Sequence, residues 1–142
     1  MIIVLIGPPG AGKGTQGDFL ANTLASKKIS TGDLLRNEVK CETSLGKKVE
    51  SVLRAGKLVS DELLYAVVKK CVHEEDRVIL DGYPRTLKQA EDLQHFGDQV
   101  CCVIHFDIDQ KDVVDRLFGR SVCLNCNAIY HKVTSPPKQE GV

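Results

Sequence analysis

The chain has 142 residues, enough for one ordinary hydrophobic core and within the single-domain range. Its 19 basic and 19 acidic residues cancel, so no overall field argues for nucleic acid or an anionic membrane as a partner. No run approaches the roughly 18 apolar residues of a membrane helix, and the apolar start lacks the basic flank of a secretory signal. Six cysteines without such a signal point to thiols or metal ligands in a reducing cytoplasm.

Met1 to Ile6 is a continuous apolar, β-branched run and reads as a strand buried on both faces. Gly7, Gly10, Gly12 and Gly14 follow with Lys13 among them, and an amphipathic pattern then runs from Thr15 to about Ala25. Strand, glycine loop with lysine, helix is the order of a P-loop. Its backbone N–H groups turn inward around phosphate oxygens, the helix N-terminus adds partial positive charge, and Lys13 meets the β- and γ-phosphates. The alternative, a glycine-rich turn with no ligand, is hard to reconcile with four glycines and a lysine at this spacing. Gly14 stands where the usual pattern has a hydroxyl directly after the lysine, and the hydroxyl comes at Thr15. A magnesium ion is therefore expected to be held partly through water.

Beyond the first helix, Ile29 and Ser30 read as a short strand, with Thr31 or Asp33 capping a helix that has Arg36 in its first turn. Ser44 to Arg54 is helical, with Leu45, Val49, Val52 and Leu53 as its apolar face, and Gly56 ends it. Lys57 to Val59 is an extended link. Ser60 caps a helix to about Glu74, with Asp61 and Glu62 well placed in its first turn.

Arg77 to Asp81 reads as a second buried strand ending in Asp81-Gly82-Tyr83-Pro84-Arg85. An aspartate there is a natural partner for the magnesium shell, or else a brace for the loop. Thr86 caps a helix to about His95 that carries Gln89 on its exposed side. Gln99 to Asp107 is a third apolar strand, in which Cys101, Cys102 and His105 are expected as core residues and not ligands. Asp109 to Arg120 is helical, with Val113, Val114, Leu117 and Phe118 buried. Arg116 and Arg120, four apart, then project from one face, either toward a ligand or as a solvated charged face. Cys123 and Cys126 form a two-thiolate knuckle, and Ile129-Tyr130-His131 resembles the returning strand of a hairpin. A closed zinc site needs four ligands, so this is half a site, with His131 as a possible third. Strand–helix alternation throughout argues for a parallel α/β sheet with helices on both faces and the strand C-termini along one rim.

These residues resemble one family closely, the adenylate kinases. The segments that carry the likeness are Gly-Pro-Pro-Gly-Ala-Gly-Lys-Gly-Thr at 7–15, Ser-Thr-Gly-Asp-Leu-Leu-Arg at 30–36, Gly-Lys-Leu-Val at 56–59, Asp-Gly-Tyr-Pro-Arg-Thr at 81–86 and Asp-Arg-Leu-Phe-Gly-Arg at 115–120. The resemblance implies a P-loop nucleoside monophosphate kinase fold and reversible phosphoryl transfer from ATP to AMP giving two ADP. It implies a core of residues 1–29 and 60–120, a mobile AMP-binding segment at 30–59, and the start of a long lid at 121–142.

Residue by residue, Gly10, Ala11, Gly12, Lys13, Gly14 and Thr15 would hold the ATP phosphates. Arg116 would stack on the ATP adenine, Arg120 would meet the transferring phosphates, and Ile129 and Tyr130 would contact ATP from the lid. Thr31, Arg36, Lys57, Leu58, Val59, Gly82, Tyr83, Pro84, Arg85 and Gln89 would hold AMP, with Arg36 and Arg85 on its phosphate and Gln89 on its adenine. Thr31 also favours AMP over pyrimidine acceptors. Catalysis would rest on Lys13, Arg36, Arg85 and Arg120. Asp81 would hold Mg2+ through water, and Cys123 and Cys126 would contribute to a structural zinc site in an intact lid.

Against complete members of that family the chain is expected to lack the return half of the lid, the last core strand and the final helix. A truncated form is expected to be impaired and to self-associate along an exposed strand edge, where the parent would be a monomer. The remaining readings are a nucleotide-binding fragment without catalysis and a kinase of another nucleoside monophosphate.

Overall fold

The computed structural model describes residues 1–55, 59–123, 129–133 and 135–137. They fall into two compact units, one of Met1–Ile6 with Lys13–His105 and one of Gly7–Gly12 with Phe106–Val142.

The first unit is built on a four-stranded, all-parallel sheet in the order β2-β3-β1-β4. The strands are β1 (Ile2–Ile6), β2 (Lys27–Ser30), β3 (Val78–Asp81) and β4 (Val100–His105). In β1, Ile2, Ile3, Val4 and Leu5 are all buried, so both faces of this strand are covered, as its unbroken apolar run requires. Strand β3 is the same in kind, with Val78, Ile79 and Leu80 buried. The register sets Leu5 opposite Asp81, Ser30 opposite Asp81 and Leu5 opposite Ile104, which lines up the C-terminal ends of all four strands.

Helices α1 (Lys13–Thr23), α2 (Thr31–Lys40), α3 (Ser44–Arg54), α4 (Asp61–His73) and α5 (Leu87–Asp92) accompany the sheet, and α5 runs on into a 3₁₀ helix, Leu93–Gln99. The core gathers Ile2, Val4, Ile29, Val68, Leu80, Tyr83 and Phe96, with Leu34, Leu64 and Tyr65 packed against it. Tyr65 on α4 meets Phe96 at a centroid distance of 5.7 Å and His95 at 6.2 Å, edge to face.

Helix boundaries follow the caps. Ser60 accepts from Leu63 N at 3.4 Å and starts α4, as its sequence predicts. Thr43 Oγ1 accepts from Gly46 N at 2.9 Å and opens α3. The start of α2 differs from expectation. Neither Thr31 nor Asp33 caps it: both are already helical, the Thr31 hydroxyl donates to Gly82 O, and Ser30 holds the cap position without a side-chain cap bond. Arg36 consequently lies in the second turn of α2, not the first.

Strand β4 also departs from expectation. It pairs only with β1, so it is a sheet edge among the described residues, and Cys101, Cys102 and His105 are exposed instead of core. Val103 is 54% exposed on the same strand.

The second unit holds the loop 7–12, helix α6 (Gln110–Phe118) and an antiparallel hairpin of β5 (Arg120–Val122) and β6 (Ile129–His131). Asp109 caps α6 by accepting from Lys111 N at 3.3 Å. No residue of α6 is buried: Val114, Leu117 and Phe118 are all exposed, so the expected buried face is not formed. An apolar stripe at helical spacing identifies a face that gains from cover; it does not supply the cover. Among the described residues no helix is long and apolar enough to cross a membrane.

Candidate functional site

In the first unit, α1 begins at Lys13, so Lys13, Gly14 and Thr15 form its first turn. The strand register brings Asp81, the last residue of β3, to the same end of the sheet. A Cβ built on Gly14 would lie 3.7 Å from Asp81 Oδ2, which puts this carboxylate beside the first turn of α1. The neighbouring Thr15 is exposed. A carboxylate and a hydroxyl next to a helix N-terminus are hard oxygen donors of the kind magnesium takes, and the arrangement fits that ion with water completing its shell. Lys28 Nζ donates to Gly14 O at 3.2 Å and pairs with Asp18, bracing this turn from β2. Sequence reasoning missed Lys28, since nothing in a local pattern ties a strand lysine to a helix carbonyl.

Asp81 leads directly into a second set of contacts. The Gly82 carbonyl accepts from Thr31 Oγ1 at 3.1 Å and from Arg85 Nε at 2.7 Å, which joins the start of α2 to the loop after β3. Gly82 sits at φ +83°, and a Cβ there would be 2.7 Å from Arg85 Nη2 and 3.2 Å from Thr31 Oγ1. The backbone conformation favours glycine, and a side chain there would also displace the Arg85 guanidinium and crowd the Thr31 hydroxyl. Arg36 is exposed and donates from Nη2 to Asp33 at 2.5 Å, one helical turn away. Val59 is half-buried, and Lys57 and Leu58 lie outside the described residues.

Tyr83 and Gln89, two residues of this set, are buried. Tyr83 is entirely buried in the core, and its hydroxyl has no hydrogen-bond partner among the described residues. Burial pushes its phenol up to about 12, with the Asp92 carboxylate adding to the shift. Only backbone is left at Tyr83 to meet a ligand. Pro84, joined to it by a cis peptide bond, is half-buried.

Gln89, expected on the exposed side of α5, is instead 3% exposed. Its Oε1 accepts from Arg85 N at 2.7 Å and its Nε2 donates to Asp61 Oδ1 at 2.5 Å. Thr86 caps α5 by accepting from Gln89 N at 3.2 Å. The Thr-x-x-Gln spacing is a capping-box signature, and it was the available sign that Gln89 turns back toward the chain upstream.

The second unit shapes the loop 7–12. Ala11 N donates to Pro8 O at 3.2 Å, and Gly10 and Gly12 take φ values of +84° and +97°. Arg116 on α6 donates from Nη1 to Gly10 O at 3.4 Å, which fixes the loop from the helix. Arg120 does not share that helix. It opens β5, with His131 as its partner across the hairpin, while Tyr130 pairs with Ser121 and Ile129 with Val122. Gly119 N donates to Asp115 O and Gly119 O accepts from Lys132 N at 2.9 Å, so the helix ends at Phe118, two residues before the arginine, with Gly119 as its cap.

Ile129 is exposed, Tyr130 half-buried. Cys123 is half-buried at the end of β5, and Cys126 lies outside the described residues. Among the described residues no three His, Cys, Asp or Glu side chains gather as a metal site.

These segments agree with what is known of other chains. A family model described as Adenylate kinase matches residues 5–139. An adenylate kinase of Caldicellulosiruptor bescii is 41% identical over 149 aligned positions, which cover 100% of this chain and 69% of the relative. A match of that extent, over a parallel sheet whose first strand runs into a glycine loop and lysine-led helix, places the chain in the adenylate kinase family.

Proposed function

We propose that the chain carries the family's reaction, reversible magnesium-dependent phosphoryl transfer from ATP to AMP giving two ADP, with the residue roles that follow. The observation that carries the reading is the first turn of α1, Lys13 to Thr15, with the Asp81 carboxylate beside it. Gly10, Ala11 and Gly12, followed in the chain by Lys13, Gly14 and Thr15, hold the ATP phosphates through backbone N–H groups and the lysine ammonium. Asp81, through water, and Thr15 would hold Mg2+, which would supply charge neutralisation at the transferring phosphoryl group. Arg116 and Arg120 attend the ATP, with Ile129 and Tyr130 contacting it from the hairpin.

AMP is held by Thr31, Arg36, Lys57, Leu58, Val59, Gly82, Tyr83, Pro84, Arg85 and Gln89. For Arg36 and Arg85 this means exchanging the contacts with Asp33 and the Gly82 carbonyl for a phosphate, a substitution guanidinium groups suit well. The attacking atom is an oxygen of the AMP phosphate, already anionic at neutral pH, so no general base is needed. Lys13, Arg36, Arg85 and Arg120 supply position and countercharge. A site of this kind uses arginines and no poised histidine. Residues 30–59 act as the mobile acceptor segment and 121–142 as the start of a lid that keeps water from the transferring group.

The finer readings have their own support. Zinc in the hairpin would draw on Cys123 and Cys126, two of the four ligands a closed site needs. The edge position of β4 among the described residues, on a strand whose Val103 is exposed, favours self-association of the chain by strand pairing. A chain rich in thiols suits the cytoplasm.

A coupled assay for ADP tests the reaction. Formation that requires both ATP and AMP, stops with a chelator and falls roughly 10²- to 10³-fold in Lys13→Met supports it. Binding of both nucleotides without ADP would make the chain a nucleotide-binding module, and faster turnover of CMP or UMP would reassign the acceptor.

A further inference from the structure

Asp61 is the first residue of α4, directly after the Ser60 cap. Its Oδ1 accepts from Gln89 Nε2 at 2.5 Å and its Oδ2 from Thr86 Oγ1 at 3.2 Å. Thr86 Oγ1 accepts in turn from Gln89 N at 3.2 Å, which closes a ring of three residues between the first turns of α4 and α5. Lys88 and Glu62 pair across the same two turns. Their hydrogen bond draws Glu62 down to about 2.

We propose that Asp61 is a positioning residue that fixes which end of the Gln89 amide faces the acceptor base, and so helps set preference for a 6-amino over a 6-oxo purine. The inference rests on the reading of Gln89 as the contact to the acceptor's adenine.

An ionised carboxylate only accepts hydrogen bonds and a backbone N–H only donates them. Between Asp61 and the N–H of Arg85 the Gln89 amide therefore has one satisfactory orientation, nitrogen toward Asp61 and oxygen toward Arg85. Reversed, it would set oxygen against oxygen and N–H against N–H. Gln89 is buried, so water cannot repair either mismatch. The charged partner makes the Asp61 bond the stronger of the two constraints.

Each end of the amide then keeps one unused valence, an N–H on nitrogen and a lone pair on oxygen. Adenine offers an acceptor at N1 and a donor at its 6-amino group, which match that pair. Hypoxanthine offers a donor at N1 and an acceptor at O6, which match the reversed amide. An amide free to turn over would serve both bases; one held by Asp61 serves adenine. A polar site of this kind discriminates because the wrong base leaves its groups unpaired.

The test compares calorimetric binding of AMP and inosine monophosphate to the full chain and to Asp61→Asn. Asparagine keeps the shape and a contact to Thr86 but presents both a donor and an acceptor to Gln89, so it no longer dictates the orientation. The wild type is expected to prefer AMP, and Asp61→Asn to narrow that preference by roughly tenfold, the ratio that loss of one charge-assisted bond produces. In ¹⁵N-labelled protein the Gln89 side-chain NH₂ signals are expected to shift and exchange faster in the variant. A variant that melts lower but keeps the wild-type AMP-to-inosine ratio and the Gln89 signals would overturn the inference and leave Asp61 a brace between helices. If Gln89→Ala itself leaves the AMP preference intact, the assignment of Gln89 to the base fails, and the role of Asp61 falls with it.

Discussion

In the sheet unit the apolar residues of β1 and β3 are buried on both faces of their strands, whereas α6, in the other unit, buries none of its residues and leaves Phe118 85% exposed. Both segments carry a clear apolar signal in sequence. The difference is geometric. β1 and β3 are inner strands whose side chains project alternately from the two faces of the sheet, and both faces are covered there. A helix has one stripe to bury, and its fate depends on what lies against that stripe. The stabilising contacts of the two units are accordingly of different kinds, close packing in one and hydrogen bonds to loop and hairpin in the other, such as Arg116 to Gly10 and Lys132 to Gly119.

That contrast is exposed to direct tests. Leu80→Ala, in the middle of β3, should destabilise the chain by about 2–5 kcal/mol, read as a shift in denaturant midpoint. A loss under about 1 kcal/mol would show that the sheet core is loosely packed. Gly82→Ala joins an unfavourable φ to a clash with Arg85 and Thr31, and should cost about 1–3 kcal/mol while weakening AMP binding.

Tyr83→Phe removes a buried hydroxyl that has no hydrogen-bond partner among the described residues, so it should be neutral or stabilise by up to about 1 kcal/mol near neutral pH. The pH dependence sharpens this. The folded phenol titrates near 12, above its unfolded value near 10, so its contribution is whole below pH 10 and is lost as pH rises toward 12. Wild-type melting temperature should fall across that window more steeply than that of the phenylalanine variant. Phe118→Ser, on the exposed face of α6, should change stability by no more than about 0.5 kcal/mol. A larger loss would mean that Phe118 is covered in solution.

Much of the site was legible because it depends on local order along the chain. A strand, a glycine loop, Lys13 and a helix must follow one another for a phosphate to be cradled, and Asp81 must end an apolar strand to stand near it. Caps at Ser60 and Thr86 were equally local. Gln89 was not, because whether a polar side chain faces water or the carboxylate of another helix turns on a partner 28 positions away. Arg120 was misread for a related reason: Gly119 ends α6, and the next residue pairs with β6 instead of extending the helix face.

By itself the sequence determined the parallel α/β class, the glycine loop and its lysine, and the family, since each is written in nearest-neighbour spacing and in runs long enough to have a period. Tertiary structure alone decided which strand became an edge, which helix went uncovered, and how Asp61, Thr86, Gln89 and Arg85 share their hydrogen bonds. Those outcomes depend on contacts between segments far apart in the chain. The bonds of Gln89 to Arg85 and Thr86 lie within one short stretch, but those of Asp61 to Thr86 and Gln89 span 25 and 28 positions, and no local pattern contains both partners.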